Sequence, residues 1–137
     1  MILITPKGVV YIIQKLGQIM LYVNDQAKAV SFWTEKAGFV VIAEEDHGQG
    51  MHSIEIAPTK DAETTLVLHN KELVAKMSPE VNLGTPSLMF FADQVEKLYE
   101  QFSDKGVTVG ALVDLPMGKV FNFADDEGNY FAVVEKK

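Results

Sequence analysis

A chain of 137 residues with 47% hydrophobic and 23% charged side chains has the composition of one compact domain or two small fused modules. Its net charge of −7 argues against a nucleic-acid partner, whose phosphates it would repel; it suits a neutral or cationic small ligand. With no cysteine, disulfides, thiol catalysis and thiolate metal sites are excluded.

The opening stretch, MILITPKGVVYIIQKLGQIMLYV, is apolar but interrupted by Pro6, Lys7, Gly8, Gln14, Lys15 and Gln18. It is too broken for a spanning helix and lacks the small-residue cleavage site of a signal peptide. A cytoplasmic protein with no membrane partner is expected. Residues 1–15 read as an extension, with GVVYII as an extra edge strand. The alternative is a translated leader. Lys7-Gly8-Val9 can be encoded by AAAGGAGTG, a bacterial ribosome-binding sequence, which would put the native start near Ile12 or Ile13 and leave residues 1–12 outside the native protein.

Strand patterns follow in order: IMLYV (19–23), FVVIAEE (39–45), MHSIEIA (51–57) and TTLVLH (64–69). After the polar stretch 70–86 come SLMFFA (87–92), VTVGALV (107–113), KVFNFA (119–124) and YFAVVE (130–135). Two helical patterns interrupt them. The first runs from about Gln26 to Ala37, with Ala27, Val30, Phe32 and Trp33 on its apolar side. The second runs from about Gln94 to Lys105, with Val95, Leu98, Tyr99 and Phe102. Asn24 or Asp25 caps the first and Asp93 the second, by accepting from orphan N–H groups. Gly38 and Gly106 stop them.

The order strand, helix, three strands therefore occurs twice. Asp25 and Asp93, Gln26 and Gln94, and Gly38 and Gly106 are each 68 residues apart, which marks an internal repeat. The expected fold is α+β: two βαβββ modules (16–70 and 86–135) forming curved mixed sheets, joined by a linker at 71–85. By the repeat, Tyr22 matches Phe90, Met20 matches Leu88 and Gln18 matches Pro86. ADDEGNY (124–130) reads as a hairpin turn in which Gly128 and Asn129 tolerate positive φ.

The stretch QIMLYVNDQAKAVSFWTEKAGF (18–39), the repeat and FNFADDEGNYFAVVE together resemble the vicinal oxygen chelate superfamily. That group includes glyoxalase I, bleomycin- and fosfomycin-resistance proteins and extradiol dioxygenases. The resemblance covers residues 16–135, with Glu127 standing where the family hairpin usually has a second aspartate. It implies a glyoxalase/bleomycin-resistance-like fold in a single domain, with paired modules enclosing clefts, and a homodimer at this chain length. One fold hosts many functions here.

The resemblance also implies where a metal would be held: inward positions of the first and last strands of each module. Gln18 matches the first-strand position. Leu66, or Val67 one residue on, stands where a carboxylate is expected; Pro86 or Ser87 stands where a histidine is expected; Ala132 stands where a glutamate is expected. One of four positions keeps a usable ligand, whereas a catalytic divalent metal needs about three. No cofactor is expected. A divalent metal would require displaced ligands, such as His52, Glu55 and His69 on neighbouring strands. His47, in EEDHGQG, reads as a solvated turn residue.

Strand alternation supplies the cleft lining. If Gln18 points in, so do Met20 and Tyr22, while Ile19, Leu21 and Val23 pack on the helix. Leu88 and Phe90 follow by the repeat, and Tyr130, Ala132 and Val134 on the last strand. Asn122, Ser53 and Glu55 face the cleft, with Met117 at its rim. Gln18, Met20, Tyr22, Leu88, Phe90, Met117, Asn122 and Tyr130 are the expected ligand-binding residues, and Glu55 is the candidate catalytic acid or base. An aromatic pocket with few polar groups suits a small molecule. The favoured function is metal-independent binding of a small molecule in that cleft by a homodimer. The alternatives are a metal-dependent lyase or dioxygenase of the glyoxalase type, and a metal-free isomerase or lyase using Glu55.

Overall fold

The computed structural model describes residues 3–4 and 10–136. Two four-stranded mixed sheets dominate it. In sheet one, β3 (Gln18–Val23), β4 (Val40–Gly48), β5 (Met51–Ala57) and β6 (Thr65–Asn70) lie in the order β3-β6-β5-β4. In sheet two, β7 (Met89–Ala92), β8 (Val113–Leu115), β9 (Gly118–Ala124) and β10 (Tyr130–Glu135) lie in the order β7-β10-β9-β8. Each sheet has one parallel pair, β3 with β6 and β7 with β10, and otherwise antiparallel pairs. Both modules share one topology, and the α+β architecture is the expected one.

A short antiparallel pair, β1 (Leu3–Ile4) with β2 (Val10–Tyr11), precedes sheet one. It covers part of the expected GVVYII strand; Gly8 and Val9 lie outside the described residues. The stretch between the modules carries α2 (Lys71–Met77), capped by the Asn70 side chain accepting from Leu73 N–H. VTVGALV does not form the expected strand. Only a Val109–Phe123 bridge forms before β8 begins at Val113.

The helix α1 (Gln26–Ser31) starts where Asp25 accepts from Lys28 N–H at 3.0 Å. Its last turn, Phe32–Lys36, is π-type: Ala37 N–H donates to Phe32 O, five residues back. The helix α3 (Val95–Asp104) ends conventionally, with Lys105 N–H donating to Gln101 O, four residues back. Its cap position is Gln94, with no side-chain cap bond, in place of the expected Asp93. Each helix is followed by a glycine at φ +79, the left-handed geometry that glycine adopts without a Cβ penalty.

The π-turn explains a misregister in the repeat. It adds one residue to the end of α1, so Gly38 and Gly106 are 68 apart while everything upstream is offset by 69. Buried Trp33 and Phe102 are equivalent at that larger offset. Leu21 therefore matches Phe90, and Tyr22 matches Phe91. Leu88 and Phe90 pack on the core, and the exposed side chains of β7 are Met89 and Phe91. The expectation that Leu88 and Phe90 line a cleft is corrected accordingly.

One core joins the modules. The helix-side faces of both sheets, with Leu21, Ile54 and Leu68 from sheet one and Phe121, Phe131 and Val133 from sheet two, meet around α1 and α3. Trp33, fully buried, packs edge-on against Phe90, Phe123 and Phe131 at centroid distances of 5.3–6.1 Å. Each such pair contributes about 0.5–1.5 kcal/mol beyond area burial. Because the helix sides face inward together, the opposite face of each sheet is left open and the two open faces point away from each other.

Candidate functional site

The open face of sheet one holds a cavity of about 210 Å³ built entirely from β3–β6. Alternation along β3 puts Gln18, Met20 and Tyr22 on this face, and Leu21 and Val23 in the core. Pairing with β6 sets Gln18 opposite Thr65, Met20 opposite Val67 and Tyr22 opposite His69. Pairing of β5 with β6 adds Glu55 opposite Val67 and Ser53 opposite His69.

At one end, Glu55 is held by its neighbours. Its Oε2 accepts from Thr65 Oγ1 at 2.7 Å and, at a weak 3.5 Å, from Gln18 Nε2. Both bonds fall on the same oxygen; Oε1 accepts none among the described residues. Thr65 is buried and fixes the carboxylate from below.

At the other end, imidazoles and an aromatic ring form a second group. His69 stacks on Tyr22, with centroids 5.8 Å apart and planes at 27°. Its Nε2 lies 3.2 Å from Met20 Sδ. His47 Nε2 lies 2.8 Å from Ser53 Oγ. Burial pushes the His69 pKa down, and the adjacent His47 pushes it further the same way, which favours the neutral imidazole.

The ionisable groups of the cavity are carboxylates and the imidazoles of His47 and His69. The cavity is lined by two carboxylates, Glu45 and Glu55, and by no lysine; the chain contains no arginine. A larger cleft of about 340 Å³ lies between α1 and the β9–β10 turn. There Asp125 is committed to the turn, accepting from Glu127 N–H and Asn129 N–H.

Of the remaining expected residues, Asn122 is exposed opposite Ala132 on sheet two. Tyr130 is 60% exposed and Met117 lies exposed in the turn before β9. The structure thus brings Gln18, Met20, Tyr22 and Glu55 together. It keeps Asn122, Tyr130 and Met117 on sheet two, outside that cavity. Val134 is fully buried, against the expectation that it lines a cleft.

His47 is a correction of another kind. β4 runs on to Gly48, past the expected end at Glu45, and the alternation that puts Ala43 and Glu45 on the open face puts His47 there too. His69 was legible in principle, since Thr65, Val67 and His69 alternate onto Gln18's side. His52 does not share the site. It alternates with Ser53 onto the other face and lies 3.4 Å from Glu44, so His52, Glu55 and His69 form no ligand set.

The residues do not fit the superfamily's divalent metal. The position after Gln18 is filled by Val67, because Leu66 is in the core; the 69-residue offset puts Ser87 at the next, and Ala132 occupies the last. One amide, two aliphatic side chains and a hydroxyl are not a divalent ligand set. Among the described residues no group of three or more histidines and carboxylates converges as a metal site.

The chain matches the profile of the Glyoxalase/Bleomycin resistance protein/Dioxygenase superfamily over residues 15–133. It is 35% identical to YetH of Bacillus subtilis (strain 168) over 124 residues, 90% of this chain and 99% of that one. It is 30% identical to YurT of the same organism over 127 residues, 89% of this chain and 99% of that one. Among solved structures it is similar to TnmS3, an antibiotic binding protein from Streptomyces sp. CB03234. That likeness has a TM-score of 0.78 at 26% identity and covers 93% of this chain and 99% of that one.

Proposed function

The chain belongs to the Glyoxalase/Bleomycin resistance protein/Dioxygenase superfamily, and we propose that within it the protein binds a small molecule without a metal. The ligand lies on the open face of sheet one, against Gln18, Met20, Tyr22 and Glu55. The observation that carries this reading is the pairing of a shaped polar cavity with non-ligating residues at the metal positions. The likeness to an antibiotic binding protein supports it.

A cavity open on one side needs a cover. Sheet two's open face offers one: Met89, Phe91 and Tyr130 are 47%, 69% and 60% exposed, an apolar surface of the kind that marks an interaction site. In a two-fold dimer, sheet two of each copy closes over sheet one of the other, giving two equivalent clefts. Asn122 and Tyr130 then reach the ligand from the second copy, with Met117 at the rim. A cytoplasmic location accords with this reading; no helix among the described residues is long and apolar enough to cross a membrane.

The test is metal analysis of protein purified without chelators or a histidine tag, followed by nickel, zinc and iron titration. Metal well below one equivalent, with no tight titratable site, is the expected outcome. Near one equivalent per chain, lost in Gln18→Ala, would make this a metal-dependent lyase or dioxygenase with displaced ligands.

A second reading rests on the fixed Glu55 carboxylate, whose Oε1 is positioned to take a proton from a bound substrate as a metal-free isomerase or lyase requires. Glu55→Gln separates the two. A binding protein loses affinity; an enzyme loses turnover at saturating substrate.

A further inference from the structure

We infer that the imidazole end of the cavity is a site for a soft monovalent metal ion of the copper(I) and silver(I) class, with Met20 Sδ and His69 Nε2 as its paired donors and His47 Nε2 as the third. This goes beyond the small-molecule reading above, which takes no metal. It uses none of the four superfamily positions. Because Met20 belongs to both sites, the ion and the small molecule compete.

The first observation is a pair of donors already side by side. Met20 on β3 and His69 on β6 come from adjacent parallel strands, and Sδ lies 3.2 Å from Nε2. Metal–imidazole bonds of about 2.0–2.1 Å and metal–sulfur bonds of about 2.3 Å are ordinary, so one ion set beside the pair reaches both atoms. Stacking on Tyr22, at 5.8 Å and 27°, holds the plane of the His69 ring.

The second is another ring nitrogen in the same cavity. His47 Nε2 lies 2.8 Å from Ser53 Oγ, and Ser53 is the direct cross-strand neighbour of His69. The two imidazoles therefore flank one buried serine, His69 from β6 and His47 from β4. His47 joins the ion by giving up its contact with that serine.

The third is the character of the donors. Among the described residues, histidines and carboxylates form no metal site of three or more by themselves. The sulfur of Met20 completes the set, and it sets the preference. Zinc sites draw on thiolate, imidazole and carboxylate, whereas a thioether suits copper(I). One thioether and two imidazoles are neutral donors when they ligate, which fits a single positive charge. Glu45, opposite Ser53, and Glu55 line the same cavity and offset that charge. The only basic groups in the lining are His47 and His69 themselves. Met20 is 38% exposed, so the ion reaches the sulfur directly from solvent.

Calorimetric titration of the full chain with silver(I), a redox-inert stand-in for copper(I), in chloride-free buffer tests this. One equivalent per chain should bind. Met20→Leu, His69→Leu and His47→Ala should each weaken it by at least about tenfold, since loss of even an outer partner of a metal ligand costs that much. His52→Ala removes an imidazole that points off the cavity and should bind silver as wild type does. Zinc should show no site that Met20→Leu weakens. Silver should shift the Met20 methyl and His69 ring resonances and leave those of His52 in place. Thermal melting of each variant establishes that it folds.

Absence of a one-equivalent silver site overturns the inference, as does wild-type silver affinity in any of the three ligand variants. A loss in His52→Ala equal to that in His69→Leu also overturns it, because binding would then reflect exposed imidazoles at large. Zinc bound as tightly as silver, and through Met20, would overturn the assignment to a soft monovalent ion.

Discussion

Glu127, in the turn between β9 and β10, accepts hydrogen bonds from the backbone N–H of Asn24 at 2.7 Å and of Asp25 at 3.1 Å. Its other oxygen accepts from Asn24 Nδ2 at 3.0 Å. A side chain of module two thus satisfies donors at the start of α1 in module one, with charge assistance. Glu127→Ala should lower stability by about 1–2 kcal/mol, read from the urea midpoint at unchanged slope. A midpoint equal to wild type would mean that solvent replaces these bonds without loss.

The register set by the π-turn distinguishes two adjacent phenylalanines. Phe90 packs against Trp33 and Phe39 at 6.1 and 5.6 Å, while Phe91 is 69% exposed. Phe90→Ala should cost about 2–4 kcal/mol through lost packing and a cavity. Phe91→Ala should change the intrinsic stability of the chain by no more than about 0.5 kcal/mol. Denaturation at a dilution where the chain is monomeric checks both; comparable losses would restore the 68-residue register.

Phe91 carries a second expectation from the proposed dimer. Phe91→Glu would set a charge against the acidic open face of sheet one, opposite Glu45 and Glu55. Sedimentation should show wild type at twice the 15.2 kDa chain mass and the variant at one chain mass, folded. Dimeric Phe91→Glu protein would remove sheet two from the interface.

Two groups give opposite pH dependences. His69 has its pKa pushed below 6.5 by burial and by His47. Below 6.5 the unfolded chain therefore binds more protons than the folded one, and stability falls as pH drops. Asp126 has its pKa pushed up to about 6, first by partial desolvation of its carboxyl and then by Asp125. Its ionisation opposes folding: the penalty is full above pH 6 and fades as pH falls towards 3.8. Because Asp126 is exposed, Asp126→Asn should stabilise by no more than about 1 kcal/mol at pH 7 and by nothing near pH 3.5. His69→Leu should flatten the loss between pH 7 and 5. Urea midpoints across pH 3.5–8 test both signs.

Much of the fold was legible because it depends on local periodicity. Alternation in QIMLYV placed Gln18, Met20 and Tyr22 on one face. The glycines at 38 and 106 ended the helices they follow, and the repeated element order gave the topology of both sheets. The helix at 71–77 escaped because Asn70 caps a segment whose apolar face is only Leu73 and Val74. The stretch 107–113 reads as a strand, yet before Val113 its backbone forms one bridge only, Val109 with Phe123.

The candidate site divides the same way. Sequence alone determined that the superfamily's metal positions keep one usable ligand, Gln18, since no fold can make valine or alanine coordinate a metal. It also determined that the chain offers no arginine to an anion. Tertiary structure decided which face Leu88 and Phe90 occupy, because the π-turn in α1 shifts the repeat by one residue and a one-residue shift inverts a strand's faces. It decided that β4 continues through the stretch 46–48, which sets His47 beside Ser53. It decided, too, that the two open faces point apart, because the helix sides of both sheets share one aromatic core around Trp33. These are consequences of packing between distant segments, and no local pattern of residues encodes them.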